Sequence, residues 1–292
     1  MSPETSFQLY TVHGFFQGEA MALAWVLLPN KTRTTYVEMF TALRDAFVTD
    51  FGDVGPVRTF LVDFEMAAIQ AINLVFPNCR VKGCSFHFRQ AIYRRVQQEG
   101  LTGHYENETS PIRHWLRQIL SLTALPEFAV PLVWSWLQVP PSVDPVTTVK
   151  AMALAKYFQA TWLQGDFPVS LWSHYDNVGP RTTNVAEGFH NGLNSRFGMS
   201  HPSLRLFLDW LQKYQFEVQC RGLQLASGRP PKQRPSAYVK LDENLWAAKL
   251  SYSIDYGRIF RDFAFNVPAG LPYFRMVTEQ YLSRVSYLLG CH

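Results

Sequence analysis

The sequence predicts a mixed α/β (α+β) fold, in which a small mixed sheet is flanked by helices and interrupted by an all-helical insertion. Three observations predict it. In the first hundred residues, short apolar and β-branched runs alternate with segments of helical periodicity. Strand patterns then disappear between residues 102 and 179, where tryptophans concentrate. A further long helical pattern, residues 203–226, follows the insertion.

The composition is that of a globular chain with a sizeable core, since 47% of the residues are apolar and 17% are charged. The N-terminal residues lack the pattern of a signal peptide, and no run of about 20 apolar residues predicts a membrane span. Four cysteines in 292 residues do not make a disulfide framework, so a reducing, intracellular compartment is expected. The net charge of +4 permits a nucleic-acid partner without requiring one.

The chain begins with two strand patterns and a helix. Residues 8–28 carry apolar and aromatic runs on either side of a turn between Gly14 and Gly18, which predicts an antiparallel pair. Residues 34–51 then space their apolar side chains at helical intervals and stop at Gly52. Because glycine is the residue type most common just after a helix, this pattern predicts a helix that ends there.

Two strand and helix pairs follow. Residues 57–64 are apolar on both faces, which is typical of a central strand, and the helix after them stops at Pro77. Residues 79–84 predict another short strand, and residues 86–99 another helix with Gly100 at its C-cap.

The later part of the chain changes character three times. Tryptophan-rich helical patterns come first, then a motif that precedes a long helix, and finally a basic, proline-rich linker with a helical remainder. These changes predict four segments: residues 1–101, 102–179, 180–228 and 229–292.

Asp63 stands where the third predicted strand meets the next helix. In an open α/β sheet, side chains at the carboxyl ends of central strands face the crevice where ligands bind. The same position suits a helix N-cap, and spacing alone favours the cap. Glu65 falls in the first helical turn, where the helix dipole favours a negative charge, and it is interpreted as structural.

Glu187 poses a similar choice. A helix that starts after Asn184 places Glu187 on one polar face with His190, Asn191 and Asn194, which are groups able to bind metal or phosphate. The alternative is a capping box, in which Asn184 and Glu187 satisfy the first free amides of the helix. The spacing does not choose between the two.

Cys84 and His87 are spaced like two ligands of a zinc ion. A structural zinc site needs four ligands, and no second pair stands at a suitable distance along the chain. Taken alone, the pattern favours a buried cysteine and a histidine at a helix start, so a structural zinc ion is not expected.

Together these motifs closely resemble the core of Mutator-like element (MULE) transposases. The resemblance rests on the order and approximate spacing of Asp-Phe-Glu at residues 63–65, Cys-x-x-His at residues 84–87, and Arg-Thr-Thr-Asn-x-x-Glu-x-x-His at residues 181–190. It implies a ribonuclease-H-like core interrupted by the helical insertion. It also implies DNA strand cleavage and transfer that depend on Mg²⁺ or Mn²⁺.

The resemblance assigns roles to individual residues. Asp63 matches the second acidic residue of the family and Glu187 the final one, so both are expected to bind metal. Cys84 and His87 match the family's Cys-x-x-His, whose role stays open between support of the site and core packing. The residues expected to support the site are Cys84, His87, Asn184, His190 and Asn191.

The first acidic residue of the family has no counterpart here. By the resemblance, its strand would fall before residue 1, so the first strand of the sheet and one carboxylate are expected to be missing from this chain. One aspartate and one glutamate supply too few ligands for two Mg²⁺ ions. Weak metal binding and an inactive polypeptide are therefore expected.

Two functional classes remain: a transposase-derived catalytic core, and a non-catalytic DNA- or protein-binding protein derived from one. The resemblance implies DNA at transposon ends as the partner, the nucleus as the location and no membrane, while a homo-oligomer is left open. Basic side chains are candidates for DNA contact, although a solvated helix face explains them as well. The candidates are Arg89, Arg94, Arg95 and Arg181.

Overall fold

The fold consists of two compact units in a computed structural model, each assembled from two separate stretches of the chain. The first unit combines Met1–Val81 with Thr182–Gln233, and the second combines Lys82–Arg181 with Arg234–His292. The residues that the structure describes are 7–52, 57–198, 202–262 and 267–289.

A β-hairpin opens the first unit. Strand β1 (Gln8–Phe16) runs antiparallel to β2 (Glu19–Leu28), and the register shifts once, just after Val12. The two turn residues, Gln17 and Gly18, have φ angles of 49° and 82°. Positive φ at both positions is typical of a two-residue hairpin turn, whose twist matches that of the strands. The predicted antiparallel pair is confirmed.

Helix α1 (Arg33–Phe51) packs next to the hairpin through a buried face that includes Tyr36 and Phe40. Its N-cap is Thr32, whose side chain accepts a hydrogen bond from an amide of the first turn. The helix ends at Gly52, which adopts the left-handed conformation that glycine reaches without strain. This is the helix end that the sequence predicts.

A second small sheet follows α1. Strand β3 (Thr59–Val62) leads into α2 (Met66–Val75) and pairs with β4 (Arg80–Gly83), and the amide of Arg80 donates to the carbonyl of Arg58. Within the described residues, the four strands form two separate two-stranded sheets. The chain is therefore mixed α/β and rich in helix, as predicted at that level.

Two helices from the later sequence complete the first unit, α9 (Asn184–Phe197) and α10 (Leu204–Ala226). Leu9 of β1, Leu193 of α9 and Phe207 of α10 form a buried cluster, and aromatic side chains pack around it. This cluster brings the start of the hairpin and α9 together, although they are far apart in sequence.

The second unit is built from helices and has an aromatic core. Phe88 stacks on Trp172 with ring centroids 5.2 Å apart and meets Trp162 edge-on at 4.7 Å. No helix in the described ranges is both long and apolar enough to cross a membrane. The helices are α3 (Ser85–Gln98), α4 (Thr102–Glu106), α5 (Pro111–Ser121), α6 (Ala129–Leu137), α7 (Pro145–Phe158), α8 (Val169–Trp172), α11 (Ser236–Asp262) and α12 (Val267–Leu288).

Candidate functional site

Asp63 lies just after the last residue of β3, and its side chain is exposed. Helix α2 begins at Met66, and its N-cap position is occupied by Glu65. Asp63 is therefore not the N-cap of α2, and the interpretation that spacing alone favoured is wrong. Asp63 does lie at the carboxyl end of a strand, which is where side chains contact ligands in α/β folds.

The side chain of Glu65 forms a hydrogen bond with helix α1 and none with the amides of its own helix, α2. It makes no capping hydrogen bond, and its Oε1 accepts a 2.9 Å hydrogen bond from the hydroxyl of Tyr36. Lys31 lies 3.8 Å from its second oxygen. Burial, followed by the hydrogen bond to Glu65, raises the pKa of Tyr36. Burial, followed by the charges of Asp63 and Glu65, likewise raises the pKa of Tyr10.

Helix α9 begins one residue earlier than the sequence indicated. Its first helical residue is Asn184 and its N-cap is Thr183, so the capping box with Asn184 as N-cap does not form. Glu187 is half-buried in the first turn, and its amide donates to the Thr183 carbonyl at 3.1 Å. Residues four positions apart on a helix are neighbours on its surface, so the side chains of Thr183 and Glu187 lie on one face.

The hydroxyl of Thr183 connects the two predicted acidic residues. Its Oγ1 lies 3.3 Å from Oδ1 of Asp63, which is 120 residues away in sequence, and 3.5 Å from Oε1 of Glu187. All three residues belong to the first unit. The fold thus gathers two carboxylates around one hydroxyl, which is a donor set made of oxygen atoms.

Two histidines flank a second threonine of the same unit. Nε2 of His190 lies 3.3 Å and Nε2 of His13 lies 3.2 Å from Oγ1 of Thr11. Burial lowers the pKa of both rings; for His13 the neighbouring His190 lowers it further, and for His190 the charge of Asp63 acts in the opposite direction. The two rings favour the neutral form, in which an imidazole both donates and accepts a hydrogen bond.

Sequence reasoning missed Thr183, Thr11 and His13. Thr11 and His13 are two positions apart on a strand, a spacing that places two side chains on one face, so this pair carried a recognisable signal. Thr183 lies in the motif at residues 181–190, but that motif does not indicate its role, because the role depends on Asp63 and Glu187 meeting there in the folded chain.

The remaining predicted support residues have varied surroundings. Asn184 and Asn191 are exposed on α9. Cys84 and His87 belong to the second unit, where Cys84 is fully buried at the N-cap of α3 and His87 is half-buried in the first turn.

Three of the four arginines proposed for DNA contact hold neighbouring groups of the second unit, and the fourth, Arg94, is exposed. Guanidinium groups that already pair within the protein offer fewer donors to phosphate oxygens. The contacts are Arg89 with the carbonyl of Leu289, Arg95 with Glu99, and Arg181 with Asp242.

Comparison with known proteins bears on the first third of the chain. The family model of the MULE transposase domain matches residues 4–91, a segment that contains Asp63, Cys84 and His87 but not Glu187. No curated protein and no solved structure shows significant similarity to the chain. The family match confirms the resemblance found in the sequence and supports a protein derived from a MULE transposase.

Proposed function

We propose that this chain is a transposase-derived catalytic core of ribonuclease-H-like type, in which Asp63 and Glu187 bind a divalent metal ion. The observation that carries the proposal is the approach of both carboxylates to the hydroxyl of Thr183, at 3.3 and 3.5 Å. If Asp63 and Glu187 only capped their own helices, nothing would require both carboxylates to lie next to the same hydroxyl. In this interpretation, residues 102–179 are a helical insertion in the core.

The donor set fits Mg²⁺ or Mn²⁺, since hard divalent cations prefer carboxylate oxygens. Asp63 and Glu187 are the residues that would hold the metal. When bound, Mg²⁺ supplies activation of an attacking oxygen and stabilisation of the leaving oxygen in phosphodiester cleavage. Two carboxylates offer fewer anionic oxygens than a pair of Mg²⁺ ions requires, so weak metal binding and no DNA cleavage by this chain alone are expected.

The proposed substrate is DNA at transposon ends, and the proposed location is the nucleus, where that DNA lies. Helix α9 supports a DNA substrate through the exposed side chains of Asn184, Asn191 and Asn194. Side-chain amides donate hydrogen bonds to phosphate oxygens and position a protein on the backbone without reading sequence. The three amides lie on the helix that also carries Glu187.

The test is a titration of the full chain with Mn²⁺. Calorimetry measures the heat of binding, and electron paramagnetic resonance measures the concentration of the free ion. The wild type should bind weakly, and Asp63→Asn and Glu187→Gln should each abolish measurable binding because each removes an anionic ligand. Asp45→Asn is the matched control, since Asp45 is an exposed carboxylate of the same unit that pairs with its neighbour Arg44.

Circular dichroism should show that all three variants keep the helical content of the wild type. A tight two-site isotherm for the wild type would contradict the proposal. So would unchanged Mn²⁺ binding in either site variant.

A further inference from the structure

We infer that Thr183 is a positioning residue whose hydroxyl sets the separation of the Asp63 and Glu187 carboxylates. The inference rests on the proposed function, because it concerns how this chain prepares the same two ligands for a metal ion. It adds a residue that the acidic pattern does not contain.

The first observation is that Thr183 occupies an N-cap position without acting as a cap. A threonine at the N-cap normally has extended backbone geometry, and its side chain accepts a hydrogen bond from an amide of the first turn. Thr183 has φ −84° and ψ 19°, and its side chain makes no capping hydrogen bond to α9. Thr183 thus occupies the N-cap position of α9 while its side chain does not cap the helix.

The second observation is where the hydroxyl points. It reaches Oδ1 of Asp63 at 3.3 Å and Oε1 of Glu187 at 3.5 Å. Glu187 is held one helical turn away by the bond from its amide to the Thr183 carbonyl, while Asp63 arrives from the end of β3. Thr183 is therefore a link between the strand end and the helix that carry the two acidic residues.

A threonine hydroxyl has one proton and two lone pairs, so it donates to one carboxylate at a time. Alternation between Asp63 and Glu187 keeps both groups near the same point and offsets part of their mutual repulsion. Partners of this kind, which orient metal ligands without binding the metal, typically change metal affinity about 10- to 100-fold when they are removed.

The experiment compares Mn²⁺ dissociation constants of the full chain in four forms: wild type, Thr183→Val, Thr183→Ser and Thr182→Val. Thr183→Val keeps the shape but lacks the hydroxyl, and it should bind Mn²⁺ about 10-fold more weakly. Thr183→Ser keeps the hydroxyl and should restore the wild-type affinity. Thr182→Val makes the same change at the adjacent, equally half-buried threonine and should leave the affinity unchanged.

Thermal unfolding of each variant separates a positioning role from a general loss of structure. If Thr183→Val does not fold, Thr183→Ala tests the loss of the hydroxyl without the branched side chain. Wild-type affinity in the variant that lacks the hydroxyl would overturn the inference. Thr183→Ser binding as weakly as that variant would also overturn it, because the hydroxyl would then not be the operative group.

The Asp63→Asn and Glu187→Gln variants distinguish failure of this inference from failure of the proposed function. If neither carboxamide variant changes Mn²⁺ binding, the metal does not use these residues and the proposed function fails. If both lose binding while removal of the Thr183 hydroxyl has no effect, the site stands and the positioning role is wrong.

Discussion

The hydroxyl of Tyr36 donates a 2.9 Å hydrogen bond to Oε1 of Glu65, two residues after Asp63. Tyr36 is fully buried in α1, at 0% exposure, and Tyr10 of β1 meets its ring edge-on at 5.6 Å. This hydrogen bond links the turn between β3 and α2 to helix α1. Helix α1 therefore helps to hold the segment that carries Asp63, although α1 contributes no acidic group to the site.

Tyr36→Phe removes this hydrogen bond and should lower the free energy of unfolding by about 1.5 kcal/mol, because the acceptor is charged and the donor is buried. Urea denaturation followed by circular dichroism measures the change. Tyr238→Phe is the control, since Tyr238 is 57% exposed, and its denaturation midpoint should match that of the wild type. Equal midpoints for all three proteins would show that Glu65 is hydrated equally well without Tyr36.

An ion pair between Glu19 and Arg221 should make the first unit sensitive to acid. Hydrogen bonds from the Arg221 side chain, and then from the Lys232 amide, lower the pKa of Glu19 from 4.5 to about 2. A carboxyl group whose pKa falls on folding contributes stability above pH 4.5, and this contribution disappears as the pH falls toward 2.

Glu19→Gln should therefore lower the melting temperature at pH 7 by an amount that shrinks steadily between pH 4.5 and pH 2. Differential scanning calorimetry across this range measures the difference from the wild type. Asp209→Asn, an exposed acidic residue of the same unit, is the control. A difference that stays constant with pH would mean that the Glu19 carboxylate is not held by Arg221 in solution.

His174 should give the second unit a separate dependence on pH. The side chain is 2% exposed, and burial lowers its pKa from 6.5 to about 4, with Lys82 and Lys249 adding positive charge nearby. The unfolded chain binds a proton at His174 at a higher pH than the folded chain does. Stability is therefore fully present above pH 6.5 and falls by about 3 kcal/mol as the pH drops to 4.

Urea denaturation at several values between pH 7 and pH 4 should show this loss for the wild type and a much smaller slope for His174→Gln. The matched control is His114→Gln, because His114 is an exposed histidine of the same unit. A slope in His174→Gln equal to that of the wild type would mean that other groups account for the pH dependence.

Lys249 should stabilise the chain segment that contains His174. The residue is 8% exposed, and its ammonium group donates to the carbonyls of His174 and Tyr175 at 2.6 and 2.8 Å. Lys249→Met leaves both carbonyls without this donor and should cost about 2 kcal/mol of unfolding free energy. Chemical denaturation measures the cost, and Lys240→Met, at an exposed position of the same helix, should be neutral.

A neutral Lys249→Met would show that methionine packing compensates for the lost hydrogen bonds. Burial disfavours the charged form of Lys249 and lowers its pKa to about 8, which acts against the stabilisation by these hydrogen bonds. The denaturation experiment decides between the two effects.

Local patterns were sufficient for several elements of the first hundred residues. The helix expected to end at Gly52 does so, because glycine in the left-handed conformation is a signal contained within the helix end itself. The hairpin around Gly18 follows from the same kind of local information. Local patterns did not decide whether the four strands share one mixed sheet, and within the described residues they form two separate two-stranded sheets.

The cap assignments show where local patterns stop being sufficient. Asp63, Thr183 and Asn184 all have side chains that can cap a helix, so spacing cannot decide which does. In the structure, neither N-cap side chain, Glu65 or Thr183, caps its own helix. Glu65 accepts a hydrogen bond from Tyr36, which belongs to another helix. The Thr183 hydroxyl lies within hydrogen-bonding distance of Asp63, at the end of a strand, and of Glu187, in the first turn of its own helix.

The sequence by itself determined the strand end that carries Asp63, the helix that carries Glu187, and the resemblance to MULE transposases, because each is written in short, local motifs. The tertiary structure alone decided that the two carboxylates share the hydroxyl of Thr183. That contact joins residues 120 positions apart and depends on the packing of α9 within the first unit. No local pattern encodes such packing, since it is set by the complementary shapes of side chains from distant parts of the chain.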